Sequence, residues 1–228
     1  MKAVLFDFGG TIDTNGVHWS EKYWELYARF RVGVRKDEYE KSFVESERLM
    51  ALDPEVRGLT FKQTLRKQIT LQFKVLKLDG TNRLPGEMVD ACYSEVAGTI
   101  DAAKEILRRL KEDYRLAVVS NFYGNLQIVC EEFGLHRLFD SLIDSTSVGV
   151  HKPDPAIFGL ALEGLKVEGK DAFVVGDSYE RDIVPSKQLG CTTIWLKGKS
   201  WTSPKSEESA DFIISKFEDI VNIIRPTP

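Results

Sequence analysis

Asp7 closes a short apolar run in Phe6-Asp7-Phe8-Gly9-Gly10-Thr11, and Asp177 closes another in Gly176-Asp177-Ser178. Two carboxylates brought to one point repel each other unless a cation lies between them, and hard oxygen ligands favour Mg²⁺. Between them in the chain come Ser120-Asn121, after an apolar run, and Lys152, in the loop beyond the next. A lysine, together with a hydroxyl beside an amide, supplies the positive charge and the donors that hold transferring phosphoryl oxygens. A carboxylate can attack phosphorus. The backbone N–H groups of Gly9-Gly10-Thr11 add a cradle for the same anion. One polar residue after a strand usually only starts a loop; four complementary ones point to a site.

The elements that must position these groups are legible as short β-rich runs. They are Ala3-Val4-Leu5-Phe6, Leu116-Ala117-Val118-Val119, Ser141-Leu142-Ile143, Ala172-Phe173-Val174-Val175, Thr192-Thr193-Ile194-Trp195-Leu196 and Phe212-Ile213-Ile214. Between the later runs lie stretches with apolar residues at helical spacing, such as Leu126, Val129, Cys130 and Phe133, or Ile157, Phe158, Ala161, Leu162 and Leu165. Alternation of this kind predicts a parallel, doubly wound α/β sheet. In such sheets ligands bind at the carboxyl ends of the strands, where the polar groups fall.

The region from Asn15 to Gly98 reads differently, with helix signals throughout. Asp37-x-x-Glu40 and Thr60-x-x-Gln63 have the form of capping boxes. Phe43 and Met50 follow the first at helical spacing, and Leu65, Ile69, Phe73 and Leu76 the second, with a further stripe through Met88, Cys92 and Val96. The expectation is a core of residues 1–14 and 99–228 interrupted by an all-helical cap of residues 15–98. Ser200 to Ser209 reads as a polar surface loop. Trp19, Tyr23, Trp24, Tyr27 and Phe30 either line a substrate pocket or form the core of the cap.

Composition bounds the function. The 228 residues are 43% hydrophobic and 29% charged, as expected of a chain with a packed core, and the formal charge is −4. That balance provides no broad basic field, so nucleic acid and anionic membrane are not expected partners, while local charges can still hold a small anionic substrate. Cys92, Cys130 and Cys191 are odd in number and far apart, which fits packing in a reduced cytoplasmic setting. The apolar run at the N-terminus is too short for a signal peptide or a membrane span.

Taken in order, four motifs resemble those of the haloacid dehalogenase superfamily: Asp7-Phe8-Gly9-Gly10-Thr11, Ser120-Asn121, Lys152 in His151-Lys152-Pro153-Asp154-Pro155, and Gly176-Asp177-Ser178-x-x-x-Asp182. The resemblance implies a Rossmann-like sheet with strand order near 3-2-1-4-5 and a helical cap that closes over the site. It implies an aspartyl-enzyme intermediate on Asp7, with Mg²⁺ held by Asp7, the carbonyl of Gly9 and Asp177. Ser120 and Lys152 would bind phosphate, helped by Asn121, Gly10 and Thr11, and Asp182 would orient Lys152 or a metal-bound water. The implied substrate is a small phosphorylated metabolite.

Phosphatases of the superfamily carry a second aspartate where this chain has Gly9. Glycine keeps the carbonyl ligand and removes a proton shuttle, and general acid–base help is typically worth about 10² to 10⁴ in rate. Asp13 or His18 could stand in for it, or the substrate could have a good leaving group. Carbon–halogen hydrolysis is the alternative reaction, because family dehalogenases also lack that aspartate, although they work without metal and usually have a tyrosine there. A catalytically weak ligand-binding protein of the same fold is the third reading.

Overall fold

The computed structural model describes residues 2–78, 83–201, 204 and 208–224. Part of the expected loop from Ser200 to Ser209 therefore lies outside the described residues. Six strands form one parallel sheet: β1 (Ala3–Phe6), β2 (Arg115–Ser120), β3 (Ser141–Asp144), β4 (Ala172–Gly176), β5 (Thr192–Leu196) and β6 (Phe212–Ile214). Their order is β3-β2-β1-β4-β5-β6, the expected arrangement extended by one edge strand.

All four residues of β1 are buried, as a central strand covered on both faces requires. Successive side chains point to opposite faces. Val4 and Phe6 accordingly join one hydrophobic cluster, while Ala3 and Leu5 join another. Phe6 lies opposite Val118 of β2 and Val175 of β4. The boundary between β1 and β4 is where strand order reverses, so the loops leaving those strands diverge and open a crevice.

The inserted helices are α1 (Trp19–Arg29), α2 (Lys36–Leu52), α3 (Phe61–Val75) and α4 (Leu84–Asp113). The Thr60–Gln63 capping box forms as expected: Gln63 N donates to Thr60 Oγ1 at 3.3 Å, and Thr60 N donates to Gln63 Oε1 at 2.9 Å. The Asp37–Glu40 box does not. Helix α2 starts earlier, at Lys36, because Glu38 Oε2 accepts from Arg35 N at 3.2 Å, which leaves Asp37 inside the first turn. His18 is the N-cap of α1, its Nδ1 accepting from Ser20 N at 3.2 Å.

Helix α4 has 30 residues, roughly 45 Å at the usual rise, and runs unbroken through Gly98 and Asp101. Its first half buries Met88, Cys92 and Val96 on the side of α3, and its second half buries Ala103, Leu107 and Leu110 toward the sheet. One apolar stripe thus joins the two regions. Tyr23, Tyr27 and Tyr39 are buried in the cap, and Tyr27 packs on Tyr39 and Phe73. Most of the early aromatic group is therefore cap core. Trp19 packs on Tyr23 and Phe61 and also reaches the sheet edge, donating to Asp13.

The remaining helices follow the later strands: α5 (Leu126–Glu132), α6 (Ser145–Val148), α7 (Ala156–Leu165), α8 (Val184–Gln188) and α9 (Ile220–Ile223). Leu126 and Val129 of α5 pack with Val4 and Phe6, whereas Ile157 and Phe158 of α7 pack with Ala3 and Leu5. Helices on both faces make the sheet doubly wound. All three cysteines are buried free thiols whose pKa values burial pushes up, to about 12, 12 and 11 for Cys92, Cys130 and Cys191. Among the described residues no helix is long and apolar enough to cross a membrane.

Candidate active site

Asp7 follows β1 directly, and its N–H continues the ladder by donating to Val175 O at 2.9 Å. The chain then turns through Gly9 and Gly10. Gly10 has φ +92°, and a Cβ there would collide with the Asp177 carboxylate, so backbone conformation and space both require glycine. Gly9 is different. Its φ of −75° and ψ of 120° suit any residue, and a Cβ would meet the Trp19 ring at 3.5 Å, an ordinary contact. The N–H of Gly10 donates to Asp13 Oδ1 at 2.8 Å, which turns the Gly9 carbonyl of the same trans peptide the opposite way.

The structure brings Asp7, Thr11, Ser120, Lys152, Asp177 and Asp182 together. Asp7 Oδ1 accepts from Ser120 Oγ at 3.0 Å and from Lys152 Nζ at 2.6 Å. Lys152 Nζ also donates to Asp182 Oδ1 at 2.6 Å, and the other oxygen of Asp182 accepts from Ser178 N at 3.0 Å. Thr11 Oγ1 lies 3.4 Å from Asp7 Oδ2 and 3.3 Å from Asp177 Oδ1, and it accepts from Asp177 N at 3.0 Å. Asn121 occupies a different position. Its amide is engaged by the Lys152 backbone, accepting from N at 2.8 Å and donating to O at 3.0 Å, so it fixes the lysine's loop.

Electrostatics in this cluster are unbalanced. Burial pulls the Lys152 pKa down, but the adjacent Asp182 and Asp7 outweigh it and hold the ammonium above the ordinary lysine value. Burial pushes Asp182 up to about 6 against the pull of Lys152. Asp177 is raised well above the carboxylate range by burial and by the charges of Asp7 and Asp182. Three carboxylates face one ammonium here, and Asp7, Asp177 and Asp182 each offer an oxygen within 4.8 Å of the others. Crowded hard oxygens with unrelieved repulsion fit a hard divalent cation. Asp182 is already engaged by Lys152 and Ser178, so the Asp7–Asp177 side is the open one.

Asp13 is nearly fully buried, with Oδ1 on Gly10 N and Oδ2 accepting from Trp19 Nε1 at 2.9 Å. Burial, reinforced by the Asp7 charge, pushes its pKa up to about 7. The folded chain therefore keeps a proton that the unfolded chain has released above about pH 4. Stability contributed by Asp13 is present at low pH and is lost as pH rises toward 7. At about 1.4 kcal/mol per unit, the loss is on the order of 4 kcal/mol across that window. Urea unfolding of Asp13→Asn between pH 4 and 7 should give a flatter pH dependence than wild type; parallel profiles would contradict the assignment.

Several groups near the site carry no motif signal. Trp195 Nε1 donates to Asp177 O at 2.8 Å, and Asp144 accepts from the N–H groups of Gly124 and Leu126, holding the loop after β2. Asn125 Nδ2 donates to Leu59 O at 2.8 Å and to Thr64 Oγ1 at 3.0 Å, tying that loop to the cap. Tyr123 and Glu47 make a further contact across the same gap.

A profile of the haloacid dehalogenase-like hydrolases matches residues 1–190. The chain belongs to the haloacid dehalogenase-like hydrolase family. Among relatives in that family, the glyceraldehyde 3-phosphate phosphatase of Methanocaldococcus jannaschii is 32% identical over 93 residues, 40% of this chain and 40% of its own. The pyrimidine 5′-nucleotidase of Escherichia coli is 30% identical over 126 residues, 53% and 56% of the two chains. The chain spans about half the length of the curated relatives it matches. A solved HAD phosphatase from Thermococcus onnurineus aligns over 99% of both chains at 27% identity, with a TM-score of 0.57.

Proposed function

We propose that the chain is a Mg²⁺-dependent phosphatase that hydrolyses a small phosphorylated metabolite through an aspartyl-phosphate on Asp7. The observation that carries this reading is the Asp7 carboxylate bonded by both Ser120 and Lys152, with Asp177 beside it through Thr11. The names of two relatives, a glyceraldehyde 3-phosphate phosphatase and a pyrimidine 5′-nucleotidase, support the substrate class.

In the first step a carboxylate oxygen of Asp7 attacks phosphorus, the bond to the ester oxygen breaks, and the leaving oxygen keeps the electron pair and takes a proton from solvent water. Water then attacks phosphorus, the acyl phosphate opens, and free phosphate leaves with Asp7 restored. Lys152 and Ser120 stabilise charge on the phosphoryl oxygens, and the Thr11 N–H adds a donor, the Gly10 N–H being held by Asp13. Asp182, by bonding Lys152 Nζ, holds that ammonium in place. Asp7, Asp177 and the carbonyl of Gly9 would hold Mg²⁺, which neutralises phosphoryl charge when bound.

The three-carboxylate cluster weighs against halide hydrolysis, which family dehalogenases perform without metal. Phosphate esters are expected to be turned over only with Mg²⁺, in a screen that sets them beside 2-haloacids with and without the metal. Turnover of the haloacids alone would replace the reading with dehalogenation. Phosphate-mimic binding with no turnover of either class would leave a binding protein.

A further inference from the structure

The groups proposed to hold phosphate all come from the core strands and their loops, so the rest of a substrate must meet the cap. Glu47 of α2 is a cap carboxylate that reaches the core. Its Oε2 accepts from the Tyr123 hydroxyl at 2.7 Å, and its Oε1 accepts from Gln68 Nε2 of α3 at 2.6 Å. Tyr123 lies in the loop that leaves β2 at Ser120. Arg181 stands in the turn between Asp177 and Asp182; burial raises the Glu47 pKa, and the Arg181 charge offsets part of that rise. Glu47 is thus bonded to the loop that leaves β2 at Ser120.

The chemistry of this spot is specific. Both bonds to Glu47 are donated to it, by a phenol O–H and an amide N–H, so the carboxylate is held with further lone pairs to offer and no donor. Behind it, Gln68 Oε1 and both amide atoms of Gln72, one turn along α3, are buried without a partner in the protein. The polar capacity of Gln68 and Gln72 therefore exceeds what neighbouring side chains satisfy. Arg181 is exposed and makes no ion pair with Glu47, so solvent screens what it can do to offset that negative charge.

We infer that Glu47, held by Tyr123 and Gln68, is the subsite for the leaving group and accepts hydrogen bonds from its hydroxyls. The substrate class is then a phosphate monoester of an uncharged polyol or sugar, and phosphate esters of hydroxy acids are disfavoured by like charge. This rests on the phosphatase reading. A partly desolvated carboxylate facing a substrate carboxylate is repulsive, whereas a hydroxyl in the same place gains a charge-assisted bond.

The test compares kcat/KM for glycerol 3-phosphate and 3-phosphoglycerate, which differ by one –CH₂OH against –COO⁻, with p-nitrophenyl phosphate as a check on the chemistry. Wild type should prefer glycerol 3-phosphate by about tenfold or more. Glu47→Gln, which keeps the shape and removes the charge, should shrink that preference by at least about fivefold. Tyr123→Phe, which releases Glu47 from the core, should shrink it in the same direction and keeps the test decisive if the first variant does not fold. A wild-type ratio near or below one, or a ratio unchanged in the folded variants, overturns the subsite while any phosphate ester turnover leaves the phosphatase reading standing. No turnover of all three esters by wild type overturns both.

Discussion

Asp7→Asn is expected to lower phosphate-ester turnover by about 10⁴-fold or more, a loss of the size seen when a covalent nucleophile is removed. The fold should tolerate the change. Ser120 and Lys152 can both donate to the remaining carbonyl oxygen, and Lys152 keeps its second partner, Asp182, at 2.6 Å. Losing one of three crowded carboxylates also relieves repulsion on Asp177. The comparison pairs single-turnover kinetics with a thermal melt. Near-normal turnover in a folded variant would remove Asp7 as nucleophile, whereas lost turnover with lost folding would call for Asp7→Glu as the second variant.

Gly9→Asp is expected to act in the opposite direction, raising kcat by about tenfold or more toward the 10² to 10⁴ that general acid–base help supplies. The backbone admits the change, since Gly9 has an ordinary extended conformation and its Cβ would lie at van der Waals distance from Trp19. The gain follows from the bonding of the groups already present. Asp13 has its two oxygens committed to Gly10 N and Trp19 Nε1, and His18 Nδ1 accepts from Ser20 N at the start of α1. The readout is kcat on a substrate with a poor leaving group against one with a good one: a new acid helps the poor one more. Equal or lower rates on both would show that proton transfer is met elsewhere.

The neighbouring glycines Gly9 and Gly10 differ in what requires them. Glycine at position 10 is imposed by φ and by the Asp177 carboxylate, whereas at position 9 nothing in the backbone demands it. In the sequence they are an undifferentiated Gly-Gly pair. The distinction depends on a residue in another strand's loop, so no local pattern carries it.

Much of the molecule was legible without coordinates because its signals are local. Strands buried on both faces read as continuous apolar runs, and the first five expected runs coincide with β1 to β5 and the last with β6. The cap's Thr60–Gln63 box and the apolar stripe of α4 follow from helical spacing over one or a few turns. The expected Asp37–Glu40 box does not form, because Glu38 reaches the Arg35 N–H and the helix starts at Lys36.

By itself the sequence determined that a parallel α/β core would carry carboxylates, a hydroxyl and a lysine at its strand ends, since hydrophobic period and residue type suffice for that. Tertiary structure alone decided how those groups are shared. It turned Asn121 onto the Lys152 backbone, buried Asp13 between Gly10 and Trp19, and brought Glu47 from α2 to Tyr123 of the core. Each of these is a contact between elements distant in the chain or a burial created by folding. Their energies depend on desolvation and on the angle at which the inserted helices return to the sheet, and neither is encoded in the spacing of neighbouring residues.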